Sequence, residues 1–140
     1  METKFNFINS QICTNKNQSE RLLALGLKKE TANMTLKRVC IGPNEDGIFV
    51  YDYVPNAHPP LLQNDIPAWS LGVLLKLMPP SIKGFYPFSL IYDIKNNTIG
   101  YVSANGVPMQ SFKGINIFDN IIFAIEWLIK EGHFSKEYLK

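Results

Sequence analysis

Histidine and cysteine are scarce in this chain of 140 residues, which holds two of each: His58, His133, Cys13 and Cys40. A structural metal site needs clustered ligands, and two isolated histidines with two distant cysteines do not supply them. The same shortage removes a disulfide framework, and both cysteines read as reduced thiols. Nucleophilic catalysis needs a nucleophile, a base and an orienting group within reach. No local motif joins either histidine to a serine or cysteine, so catalytic, cofactor-binding and metal-binding residues are all expected to be none. Long apolar runs are also missing. No stretch approaches the length of a membrane span, and the opening METKFNFINSQICTNK has no apolar core of the kind a secretory leader carries. No membrane association is expected, and the cytoplasm is the expected location. Excess charge of one sign is absent too. The formal net charge is +2, from 14 basic and 12 acidic residues, so the total gives no strong attraction to polyanions.

What is present describes an ordinary globule: 46% hydrophobic and 19% charged residues, enough chain to bury a core without staples. Residues 1–17 are rich in Asn and Gln and read as an N-terminal arm, loosely ordered or draped over the rest, with Phe5 and Phe7 as candidate cover for apolar surface. Residues 18–140 read as a single domain. Asn17, with Glu20 three positions on, resembles the start of a short helix over 18–25 that Gly26 ends. Lys28 to Met34 adds a short turn with Ala32 and Met34 inward.

A β-hairpin follows. TLKRVCI (35–41) and IFVYDYV (48–54) flank the turn-rich GPNEDG. On the second strand Ile48, Val50, Asp52 and Val54 share one face while Phe49, Tyr51 and Tyr53 share the other. Both faces are partly apolar; one is expected to carry the core and the tyrosine face to be half exposed. A Pro-rich loop, 54–65, leads to IPAWSLGVLLKLMPP. There Ser70 is a cap candidate, Leu71, Leu74, Leu75 and Met78 recur at helical spacing, and Trp69 sits as a hydrophobic staple would. A second hairpin, FSLIYDI (88–94) and TIGYVS (98–103), turns at Lys95-Asn96-Asn97, and Gly100 signals a bulge or a close backbone approach. Residues 104–115 read as a loop.

The last helix, NIFDNIIFAIEWLIKEG (116–132), is the longest periodic segment. Asn116 caps it, Asp119 suits its positive end and Gly132 can take the positive φ that ends it. Phe118, Ile121, Ile122, Ile125, Leu128 and Ile129 form one stripe for the core. Phe123 and Trp127 break the pattern: stacked four apart, they fall within the polar arc. Either another part of the chain covers them, the N-terminal arm or the C-terminal tail, or they form a partner site, since aromatics are enriched at interface cores. The fold class is therefore α+β: an antiparallel sheet of about four strands, from two hairpins, packed on one face by about three helices.

Three further features bear on function. Asp52 and Asp93 stand mid-strand among apolar neighbours; adjacent hairpins would bring them together with a raised pKa, and separate ones leave each facing solvent. Lys113 and Gly114 precede the last helix, where an anion could sit. Between residues 16 and 38 six basic side chains face two acidic ones, and Lys28, Lys29, Lys37 and Arg38 are candidate nucleic-acid contacts.

Three stretches carry a resemblance: SERLLALGLKKETANM, IPAWSLGVLLKLMP and NIIFAIEWLIKEGHF. In these the chain resembles a group of small uncharacterised proteins encoded by bacterial prophages and integrative mobile elements, notably of gut bacteria. The resemblance spans roughly residues 18–134 and is most specific over Ile66–Pro79. It transfers no catalytic or binding residue. It implies context: an accessory product of a mobile element, made in a bacterial cytoplasm. The leading expectation is a non-enzymatic interaction module that binds a protein partner or itself through Phe123, Trp127 and Trp69. The alternative is a nucleic-acid-associated accessory protein that uses the basic N-terminal half.

Overall fold

The computed structural model describes residues 11–140; Phe5 and Phe7 lie outside the described residues. The first helix, α1 (Lys16–Ala24), starts two residues earlier than Asn17 would place it. Asn15 is the cap: its side chain accepts from the amide of Gln18, whose own side chain accepts from the Asn15 amide, a reciprocal box that satisfies two end donors. Asn15 with Gln18 and Asn17 with Glu20 are rival boxes in one short segment. Contacts outside the helix select the first, because Gln18 also reaches Asn116 and Asp119 in the last helix. Gly26 ends the helix at φ 103°. A short 3-10 turn, Lys29–Thr31, follows.

The two hairpins are both formed, in separate antiparallel sheets. β1 (Met34–Pro43) pairs with β2 (Phe49–Asn56) and, at its root, with the short β3 (Ile66–Ala68), giving the order β2-β1-β3. The second sheet has four strands: β4 (Ser81–Ile82), β5 (Phe88–Asp93), β6 (Thr98–Ser103) and β7 (Pro108–Lys113), paired in chain order. β7 occupies the stretch expected to be loop. Its first residue is Pro108, which an edge strand tolerates, and Met109 and Phe112 pack on the core.

At Gly100 the β7 backbone leaves no room for a side chain. A Cβ there would stand 2.4 Å from the Gln110 carbonyl oxygen and 2.6 Å from Ser111 Cα, so the close approach is to strand backbone, with a register shift just beyond it at Tyr101/Val102. Helix α2 (Leu71–Leu77) is capped by Ser70, whose hydroxyl accepts from Val73 N, and Pro79-Pro80 follow it.

Helix α3 (Ile117–Lys130) lies against β6, β7 and α1. Asn116 Oδ1 accepts from the amides of Phe118 and Asp119. Phe118, Ile121, Ile122, Ala124, Ile125 and Leu128 are buried, and each large apolar side chain among them contributes about 1.5–3 kcal/mol by leaving water. Asn120, on the arc expected to face solvent, is buried as well. Its Nδ2 donates to Asn97 O at 2.9 Å and Gly114 O at 3.3 Å, which fastens the β5–β6 turn to the start of the helix.

After Gly132 the tail folds back. Phe134 is buried, Lys28 N donates to Tyr138 O, and Lys140 N donates to Gly26 O. The main core joins α1, α2, α3 and the four-stranded sheet. A smaller cluster of Cys13, Met34, Leu36 and Ala68, with Tyr53 and Ile66 against it, fixes the root of the first hairpin.

Candidate functional site

Trp69 is not a surface residue. It is 0% exposed, its Nε1 donates to Thr31 Oγ1 at 2.9 Å, and its backbone N and O bond to Thr14. The residue before a helix cap can point either way, and here the partners that satisfy its indole and backbone all lie inside. Trp127 is half-buried. Its ring lies between Tyr101 at 6.1 Å, Phe112 at 6.4 Å and His133 at 5.7 Å, so β6, β7 and the residue after Gly132 supply its cover. Phe123 is the exposed member of the pair at 47%, with the Arg21 guanidinium 4.9 Å from its ring centre. Arg21 also meets Asp119 at 3.4 Å, arching from one turn of α3 to the next.

Seven of the exposed large hydrophobic side chains among the described residues fall on the first hairpin. From Arg38 to Val54 every residue except Gly42 and Tyr53 is exposed. Of β2 only Tyr53, at the root, packs on a core cluster, and beyond it both half-apolar faces are exposed. Ile41 and Phe49 are each 63% exposed, and Val39, Ile48, Val50, Tyr51 and Val54 are exposed beside them. The core ends at Leu36, so among the described residues the outer two-thirds of the ribbon has no body beneath it. Such ribbons are marginal alone, and local devices hold this one. Asn44 Oδ1 accepts from the amides of Asp46 and Ile48, and Gly47 takes φ 77°. Arg38 lies 4.0 Å over the Tyr51 ring, and Lys16 lies 5.3 Å over Tyr53. A bulge between Cys40 and Gly42 adds twist. The root of the β2 edge is blunted: the Tyr53 amide is taken by Asp52 Oδ1 at 2.7 Å, and Pro55 has no amide to give.

The basic candidates are largely engaged. Lys29 Nζ donates to Leu62 O and Gln63 O, Lys37 meets Asp65 at 3.3 Å, Arg38 lies on Tyr51, and Lys28 is half-buried. Asp65 is the stronger partner in its pair. Its side chain is 8% exposed, and the amides of Leu62 and Leu61, with Lys37, lower its pKa to about 2. The hairpin itself, residues 34–56, holds two basic side chains against three acidic ones.

The sequence features that suggested chemistry are dispersed. Asp52 and Asp93 sit in different sheets. Asp93 accepts from the side chain and backbone of Asn96, which lowers its pKa, opposite to a proton-sharing pair. Asn116 already satisfies two end amides of α3, and Asp119 sits on the same turn, so an anion is not favoured there. Burial raises the pKa of Cys13, and Cys40 is exposed on the hairpin. An open groove of about 220 Å³ holds His133, Ser135, Tyr138 and Lys76, with no carboxylate on its wall to orient the imidazole. Among the described residues no cluster of His, Cys, Asp or Glu could hold a metal ion, and no helix is long and apolar enough to cross a membrane. Comparison with protein-family models, curated proteins and solved structures finds no match.

Proposed function

We propose that this chain is a non-enzymatic interaction module that binds a protein partner or itself, and that its contact element is the β1–β2 hairpin. The observation that carries this reading is the exposure of apolar side chains on both faces of the ribbon, beyond the point where the core ends. Contiguous apolar surface of this kind marks interaction sites. Phe123 stands as a subsidiary contact, while Trp127 and Trp69 support the fold. The resemblance to prophage and mobile-element proteins adds the setting: an accessory product acting in a bacterial cytoplasm.

The nucleic-acid reading draws less support, because the projecting ribbon has an acidic balance and Lys29 and Lys37 already have partners. Fluorescence anisotropy with single- and double-stranded DNA is expected to show only weak binding without the steep salt slope of a phosphate-tracking site.

The interaction reading is tested by a photo-crosslinking amino acid placed at Phe49 in the producing bacterium, with Ile94 on the other sheet as control. An adduct carrying one further protein chain is expected from position 49. Adducts from position 94 with none from 49 would overturn the assignment of the hairpin.

A further inference from the structure

We infer that the occupant of the Phe49–Tyr51 face is a second copy of the chain, with two hairpins stacked face to face and antiparallel about a twofold axis. This rests on the reading of the hairpin as the contact element and names its partner.

Three observations lead to it. First, the ribbon is charge-polarised along its length. Glu45 and Asp46 stand at the tip, while Arg38, over Tyr51, stands toward the root on the aromatic face, and Lys16, over Tyr53, is shared with Glu20 at 3.2 Å. A twofold that reverses one ribbon against another brings each acidic tip over the other copy's basic root. A single patch then complements itself, which is the requirement of an isologous interface.

Second, the register that matches these charges places the axis between Phe49 and Tyr51, since Arg38 pairs with Tyr53 across the ladder and the turn lies equally far on the other side. Each Phe49 then meets the Tyr51–Cys40 level of its mate, where Arg38 lies over the Tyr51 ring, a contact of ring with ring and cation.

Third, joining along the root of the β2 edge is discouraged, because Asp52 occupies the Tyr53 amide and Pro55 offers none, whereas Phe49 and Tyr51 are exposed on the outer part of the face. The net charge of +2 adds little repulsion between copies.

Cys40 pairs with Tyr51 on this face and is exposed, while Cys13 is buried, so the native protein carries its own reporter. Sheets packed face to face lie ~10 Å apart, within reach of a short bis-maleimide between the two copies of Cys40.

The test uses the purified full chain in sedimentation velocity across a concentration series. A monomer–dimer equilibrium is expected, with Cys40-dependent bis-maleimide dimers that vanish in Cys40→Ser. The double variant Phe49→Ser, Tyr51→Ser is expected to weaken association at least tenfold with unchanged circular dichroism. Arg38→Glu and the pair Glu45→Lys, Asp46→Lys are each expected to weaken self-association, and mixing the two proteins to restore a heterodimer. That rescue reads the tip-to-root pairing even if the aromatic double variant misfolds.

A wild-type chain that stays monomeric to submillimolar concentration overturns the inference, as does a dimer indifferent to all these changes. If that monomer still gives an adduct of different mass at position 49 in cells, the second copy is refuted and the hairpin reading stands. If it gives none, both fall.

Discussion

Replacing Phe123 and Trp127 separately by serine separates a surface aromatic from a supporting one, although the two stand four apart on the same helix. Trp127 is half-buried and packed on Tyr101, Phe112 and His133. Truncating a buried Trp costs about 3–5 kcal/mol, so a half-buried one should cost about 2–3 kcal/mol. Phe123 is 47% exposed and faces Arg21. Losing an exposed cation–π contact costs about 0.5–1 kcal/mol, and the ring's partial burial brings the sum to roughly 1–1.5 kcal/mol. At roughly 3–4 °C per kcal/mol for a chain of this size, Trp127→Ser should lower the melting temperature by about 6–12 °C and Phe123→Ser by about 3–6 °C. Thermal and urea unfolding followed by circular dichroism measure both. Trp127→Ser also leaves Trp69 as the single tryptophan, whose emission should remain that of a buried indole until the transition. Equal costs, or a larger one at Phe123, would refute the packing argument and return Trp127 to the list of surface contacts.

Two glycines make a paired experiment of opposite sign. Gly100→Ala drives a Cβ into β7 backbone and should cost about 1–3 kcal/mol. Gly72→Ala, at an open position in α2 with nothing within 4 Å, should be neutral or stabilising by up to about 1 kcal/mol; a wild-type melting temperature for Gly100→Ala would mean that β6 and β7 are farther apart than described. Asp65 gives a pH test with a definite sign. Its folded pKa of about 2 lies below the ordinary 3.8, so its contribution is complete above about pH 4 and is lost as the pH falls through about 2. The gap in urea midpoint between wild type and Asp65→Asn should therefore be open at pH 6 and close between pH 4 and pH 2; a gap that persists at pH 2 would show that the amides of Leu61 and Leu62 do not favour the ionised form.

Much of the architecture could be read from local chemistry. The second hairpin, α3, its Asn116 cap and its Gly132 stop all follow from turn residues and helical spacing, which act over a few positions and need no knowledge of the rest of the chain. Elements whose reason is tertiary were hidden. β3 and β4 are too short to show a period, and each exists because a longer strand beside it offers a ladder. Asn120 reads as polar and therefore outward, yet it is buried because two carbonyls, at Asn97 and Gly114, wait for its amide. Asn15 rather than Asn17 caps α1 because Gln18 is also wanted by Asn116 and Asp119, about a hundred residues away in sequence.

The hairpin separates what a pattern states from what it leaves open. The alternation of β2 says correctly that both faces are apolar, since Val50 and Val54 stand on one and Phe49 and Tyr51 on the other. A strand of that composition wants cover on two sides, and the usual inference is that the chain provides at least one. Here the described residues cover only the root, where Tyr53 meets Met34, Leu36 and Cys13. The outer ribbon is ordered by Asn44, by Arg38 on Tyr51 and by the ladder, none of which removes its apolar side chains from water. Periodicity therefore specifies a demand for burial without naming the molecule that meets it. The aromatic pair of α3 shows the converse: Trp127 looks unpartnered on a helical wheel and is met from within by Tyr101, by His133 of the tail and by Phe112, the last on a strand the pattern did not reveal. The two cases have one cause: a periodic pattern marks a face to be covered and is silent on which segment covers it.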